Sequence, residues 1–220
     1  MDFLHTLIGF FQDGGPFMYP IAIVLAVGIA VVIERWLFLT HARMSNRSAF
    51  NRLLPMLQQK DYKSVLEFGN GTASPIARIV TAGVARMATS PRREDVELAM
   101  EEGVLESIPR LEKRTAYLAT LANISTLLGL LGTIIGLIAA FTAVANADPT
   151  EKATLLSQSI SVAMNTTAFG LIAAIPLLLF HSMLQTKTNE IVDSLEMAGV
   201  KVLNLISGHS ASRTRANDAA

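Results

Sequence analysis

The sequence predicts an all-α, polytopic membrane protein with three transmembrane helices. Two of these are long and extend into the cytoplasm, and a helical cytoplasmic insert follows the first. The first reason is composition: 51% of the 220 residues are hydrophobic and only 16% are charged, against roughly 25% charged in soluble domains. The second is where charge is missing. None falls from Gly14 to Ile33 or from Thr115 to Ala147, and from Ala153 to Thr186 the only titratable side chain is His181. A helix of about 20 apolar residues crosses the hydrocarbon core. The first stretch just fits, whereas the other two make helices of roughly 50 Å that must tilt or project beyond the bilayer. The third reason is asymmetry of the basic residues. Residues 1–17 hold no Lys or Arg and the 145–159 loop holds only Lys152, so the positive-inside rule puts the N-terminus and that loop outside and the rest of the polar chain in the cytoplasm.

Taken in order, residues 1–17 form a periplasmic segment in which 3–11 (FLHTLIGFF) is amphipathic and suited to lie flat at the interface before the Gly14-Gly15-Pro16 break. With no basic residue it does not read as a cleavable signal peptide. Transmembrane helix 1 spans 18–39 and closes with Glu34, Arg35 and Trp36, the first two read as an interface anchor. Segment 40–114 reads as a run of cytoplasmic helices. Asp61 caps one that stops at Gly69-Asn70-Gly71, and Ser74-Pro75 and Ser90-Pro91 each read as an N-cap with proline in the first turn. Glu94 and Asp95 suit the positive end of the last helix, and Val96, Met100, Val104, Ile108 and Leu111 give it one apolar face. With Pro109 near the join, that helix is expected to run into transmembrane helix 2 at 115–144. A periplasmic loop at 145–159 precedes transmembrane helix 3 at 160–184, which continues as a cytoplasmic helix over 185–207. Residues 208–220 read as a disordered tail.

The absence of cysteine removes disulfides, thiolate metal sites and cysteine nucleophiles. No cofactor, metal or nucleic-acid site is expected. The GLLG of 129–132 has no following Lys and sits in an uncharged helix, so it does not read as a nucleotide loop. An enzyme is not expected either, since Ser125 and Ser161 have no His at the membrane centre to activate them.

In span two Ala119, Ala122, Thr126, Gly129, Thr133, Gly136 and Ala140 follow alternating steps of three and four and share one helical face. Ser159, Ala163, Thr167, Gly170 and Ala174 form a similar stripe in span three. Such stripes let helix backbones approach closely in lipid, and packing alone accounts for them. The alternative is that they line a central passage. Depth favours the passage: Thr133 lies nineteen residues after Arg114 and Thr167 twenty before Lys187, which sets both hydroxyls at one height, with Asn165 and Thr166 close by. Polar groups at that depth often mark pathways, yet neither span holds a carboxylate, Lys or Arg in its core. Hydroxyls orient water but store no charge, so a proton path needs a carrier from a second polypeptide.

GLLGTIIGLIAAF (129–141) and TTAFGLIAAIP (166–176) resemble the second- and third-span signatures of the ExbB/TolQ proton-channel proteins, related more distantly to MotA. Gly14-Gly15-Pro16-Phe17-Met18 and Glu34-Arg35 resemble the flanks of their first span, and three spans favour the ExbB/TolQ branch. The resemblance implies a proton-channel, stator-like subunit of a bacterial inner-membrane motor. It implies a homopentamer around a dimer of a single-span ExbD/TolR-like protein carrying a membrane aspartate, with a TonB/TolA-like energy transducer and membrane lipids as further partners. Proton flow would then do work at the cell envelope. By the same likeness Thr133 and Thr167 are pore threonines; Thr126, Asn165 and Thr166 join them as pathway candidates, and Gly129, Gly132, Gly136, Gly170 and Ala174 carry helix packing. Two positions depart from the family pattern, Val162 in place of a glutamate and Thr126 in place of a proline. The rival readings are a membrane scaffold or a small-solute channel without proton coupling.

Overall fold

A computed structural model describes residues 11, 14–90 and 92–217, with side chains through Ile206. Its helices are α1 (Met18–Gln58), α2 (Tyr62–Asn70), α3 (Pro75–Thr89), α4 (Arg93–Glu112), α5 (Thr115–Ala145) and α6 (Lys152–Asn217). No strand occurs among the described residues, and three helical stretches are long and apolar enough to cross a membrane. The fold class read from composition is therefore the fold observed. The amphipathic segment expected over 3–11 lies, except for Phe11, outside the described residues.

Several boundaries differ from the expected ones. α1 does not end near the membrane but continues to Gln58, because no glycine or proline interrupts residues 40–54. Ser90 does not cap α4. It ends α3, and α4 begins at Arg93 after the N-cap residue Arg92. Nor does α4 run on into α5. Lys113 closes it, its N–H bonding Pro109 O, and Arg114 adopts a left-handed φ of 68°. The basic residues Arg110, Lys113 and Arg114 suit the negative end of the α4 dipole. The expected 145–159 loop shrinks to the turn between Ala145 and Lys152, since nothing after Pro149 opposes a helix. α6 runs on to Asn217 through most of the segment read as disordered, where Ala211, Arg213, Arg215 and Ala216 are all good helix formers.

The chain divides into two compact units. The first combines Met1–Arg35 with Arg114–Leu184 and contains the apolar parts of α1, α5 and α6. A turn through Gly15, at φ +75°, leads into α1. There α1 approaches α6 where Gly28 makes room for the buried Leu177: a Cβ at position 28 would come within 2.5 Å of Leu177 Cδ2. The chain covers little of its own apolar surface. Only 22%, 17% and 28% of the three apolar windows is buried, and Ile23, Leu127, Ile138, Phe141 and Leu179 stand exposed. Lipid or other chains must cover the remainder.

The second unit combines Trp36–Lys113 with Gln185–Ala220. Leu53, Val65, Ile79, Val80, Leu195 and Val202 are buried in its core. On α4, Val96, Met100, Val104 and Leu111 are buried as the periodicity requires, but Ser107 takes the place of Ile108 and bonds Gly103 O at 2.9 Å. Steps of four, three and four from Met100 reach Leu111 through 107. Asn46 Oδ1 accepts from both Ser74 Oγ (2.8 Å) and Ile76 N (3.3 Å), so Ser74 ties α3 to α1 instead of capping its own helix. Lys187 Nζ bonds Thr40 Oγ1 at 2.7 Å and stands 4.1 Å from the centre of the Trp36 ring, a cation–π contact.

Two carboxylates near helix starts are held ionised by local hydrogen bonds here. Asp61 accepts from the Ser64 hydroxyl and N–H, which together hold its pKa below the ordinary 3.8. Asp95 is held low first by the Ser90 hydroxyl and then by Arg92, whose Nε lies 2.9 Å away. A depressed folded-state pKa contributes stability above the unfolded value and loses it as pH falls through the folded one. Amide exchange at Ser64 is therefore expected to speed up, relative to its intrinsic rate, as pH drops below about 4. Asp61→Asn should flatten that response; an unchanged acid profile in the variant would refute the role given to Asp61.

Candidate functional site

The glycines of the α5 stripe meet Gly170, Thr167 and Ala163 of α6 at near-contact distance. A Cβ added to Gly170 would lie 2.8 Å from Ser125 O and 3.0 Å from Gly129 Cα, and one added to Gly129 would lie 3.2 Å from Thr167 Cα. At Gly136 it would meet Ala163 Cβ at 2.9 Å. No larger side chain fits this seam. Ala174 is also buried, one helical turn beyond Gly170.

Close approach brings two hydroxyls together. Thr133 Oγ1 and Thr167 Oγ1 are hydrogen-bonded to each other. Thr133 Oγ1 also lies 3.2 Å from Gly129 O and 3.3 Å from Ala163 O, and Thr167 Oγ1 lies 2.9 Å from Gly129 O. The equal depth expected from counting along the chain is thus a direct contact. Each hydroxyl has one proton to donate and two lone pairs. Both protons are taken up within the pair and by the carbonyls, so what the pair offers outward is acceptor capacity. Such a pair can receive a hydrogen bond from water or from a protonated carboxyl, and it has no group that titrates near neutral pH.

The other expected pathway residues fall elsewhere. Thr126 is exposed and bonds Ala122 O at 3.2 Å, within its own helix. Asn165 is half-buried, with no hydrogen bond to its side chain among the described residues. Thr166, read with the pathway group, is instead a packing residue: it is 2% exposed, and its hydroxyl lies 2.6 Å from Gly14 O and 3.0 Å from Val162 O. One residue along a helix is a rotation of about 100°, which turns Thr166 away from the hydroxyl pair and toward the entry turn. Gly132 serves that contact, since a Cβ there would meet Thr166 Cγ2 and, at 3.2 Å, Phe17 Cβ.

Beside it lies a cleft of about 240 Å³ whose lining includes Gly14, Phe17, Gly136, Ser159, Val162 and Thr166. Val162, the departure from the pattern of the resembled family, thus lines a cleft with no ionisable residue among the described residues that line it. Glu34 lies 3.5 Å from Arg114, both partly exposed, whereas Arg35 is only 2% exposed. An exposed ion pair of this kind contributes at most about 1 kcal/mol.

Ser125 and Gly14 were not among the expected site residues. Ser125 is fully buried and donates to Gly170 O at 3.2 Å. A second row of small residues, Ser125, Gly129, Gly132 and Gly136, carries a signal for Ser125. Nothing local marks Gly14 O as the acceptor for Thr166.

Residues 72–197 match the model of the MotA/TolQ/ExbB proton channel family. The chain belongs to this family. It is 26% identical over 174 residues to the biopolymer transport protein ExbB-like 3 of Synechocystis, covering 79% of this chain and 82% of that protein. To the biopolymer transport protein exbB1 of Vibrio cholerae it is 29% identical over 168 residues, 75% of this chain and 73% of that one. To the Tol-Pal system protein TolQ of Haemophilus influenzae it is 38% identical over 95 residues, 42% and 40% of the two chains.

Proposed function

We propose that this chain is the proton-channel subunit of an ExbB/TolQ-type motor in the bacterial inner membrane, with its N-terminus periplasmic and its C-terminus cytoplasmic. The observation that carries the reading is the Thr133–Thr167 hydroxyl pair, held in a seam between two spans that contain no carboxylate. The pair supplies acceptors and no charge. It suits a passage in which a protonated carboxyl from another chain is met by lone pairs, then loses its proton to water. Five copies surround two single-span ExbD/TolR-like helices bearing that carboxyl as an aspartate, and proton flow moves the partner within the ring. A TonB/TolA-like transducer carries the motion to the envelope, in line with the biopolymer-transport names of the relatives. The subunit performs no covalent chemistry.

The test is native mass spectrometry of the protein expressed with and without a single-span partner. Five copies capturing two partner chains is the expected result. An assembly that takes up no partner, even when one is supplied, removes the proton carrier and with it this reading. A scaffold is the second reading, because Thr126, Thr133, Thr166 and Thr167 each lie within hydrogen-bond distance of a backbone carbonyl and packing alone satisfies them.

A further inference from the structure

The second unit carries two apolar grooves with rims of opposite charge. One, of about 330 Å³, lies between α4 and α6; Leu105, Val200 and Leu203 contribute apolar lining and Glu97, Glu101 and Glu196 the charge. The other, of about 320 Å³, is formed with α1 on the opposite side of α6; Phe50 and Met197 contribute apolar lining, and Arg43, Arg47 and Lys201 the charge. Arg43 already pairs with Glu190 at 3.3 Å. Among the described residues the three glutamates, Arg47 and Lys201 make no ion pair. Leu105, Met197 and Val200 are 61%, 60% and 55% exposed, although none lies in one of the three charge-free stretches, and exposed apolar patches of this kind mark contact surfaces.

Their placement on α6 is the decisive feature. Glu196, Gly199, Val200 and Leu203 line the acidic groove; Ser194, Ala198 and Lys201 line the basic one. At 3.6 residues per turn these sets lie on opposite flanks of the helix and overlap in height. Rotation about an axis running along α6 leaves height unchanged. It therefore brings the acidic flank of one copy against the basic flank of the next at the same level, which is the geometry of a head-to-tail contact that closes into a ring. A basic peptide would use only the acidic groove and an anionic headgroup only the basic one. A second copy of this chain uses both.

We propose that copies of this chain associate through these two flanks. Glu97, Glu101 and Glu196 of one copy face Arg47 and Lys201 of the next, around an apolar contact of Leu105 and Val200 with Phe50 and Met197. This rests on the homo-oligomeric reading above and gives it a contact surface. The test uses the full chain in three forms: Glu97, Glu101 and Glu196 changed to Lys; Arg47 and Lys201 changed to Glu; and all five changed together. Native mass spectrometry should show each half-reversal losing about tenfold or more of the assembled fraction, with helix content by circular dichroism unchanged. The fully exchanged chain should recover it. Half-reversals that assemble like the parent overturn the proposal, as does a full exchange that fails to recover assembly. So does a loss confined to the Arg47/Lys201 variant that anionic lipid reverses, which would assign the basic groove to a headgroup. A parent chain that stays monomeric instead removes the homo-oligomeric reading itself.

Discussion

Replacing Gly170 with valine is expected to drive α5 and α6 apart and to abolish proton-coupled activity. The side chain has nowhere to go, because the atoms its Cβ would meet, Ser125 O at 2.8 Å and Gly129 Cα at 3.0 Å, are backbone. A rotamer change cannot relieve a clash with a main chain. Relief requires the helices to separate, which breaks the Ser125–Gly170 bond and pulls Thr133 from Thr167. Overpacking of this kind costs about 1–3 kcal/mol, or several degrees in melting temperature at about 2–4 °C per kcal/mol. Gly71 is the control: its φ is −90°, and a Cβ there would meet only carbonyl oxygens at 3.6 and 3.8 Å, so alanine should be tolerated. Thermal unfolding in detergent checks both variants. A Gly170→Val protein that melts with the parent would show that the seam yields more easily than the geometry implies.

Thr167→Val is expected to leave the fold and assembly intact while lowering proton-driven activity about tenfold or more. Valine matches threonine in shape, so the seam stays filled. The hydroxyl is lost, and with it the bonds to Thr133 and to Gly129 O. A net hydrogen bond contributes about 0.5–1.5 kcal/mol, and about 1.4 kcal/mol in a barrier is a factor of ten. Proton uptake into vesicles carrying the partner-loaded complex is the measurement. Undiminished uptake would favour the scaffold reading, in which Thr167 is only packing. Thr166→Val separates the two roles within one dipeptide. It should loosen the entry turn at Gly14 and lower the melting temperature with a smaller effect on uptake per folded complex.

Which of these consequences could be read from the sequence depends on how local their causes are. Charge-free stretches announce three spans because crossing lipid is a property of each segment alone. Asp61 announces a cap because its partner, Ser64, is three residues away. The lack of a carboxylate in the cores of spans two and three follows equally from the residues themselves, and it is the proposed proton path that then calls for one from another chain. Thr133 and Thr167 could be set at one height by counting from flanking charges, since rise per residue is constant in a helix.

Tertiary structure decided whatever depends on how helices are rotated and where they touch. Neighbouring threonines 166 and 167 look alike in sequence, yet one ties the Gly14 turn and the other joins the hydroxyl pair, because a helix turns about 100° between them. Ser125 gains its role from a carbonyl forty-five positions away, a separation no local pattern encodes. Segment hydropathy alone determined that this chain has three stretches able to cross a membrane. Which atoms meet there was decided only by long-range packing, because helix rotation and register are set by contacts between residues far apart in the chain.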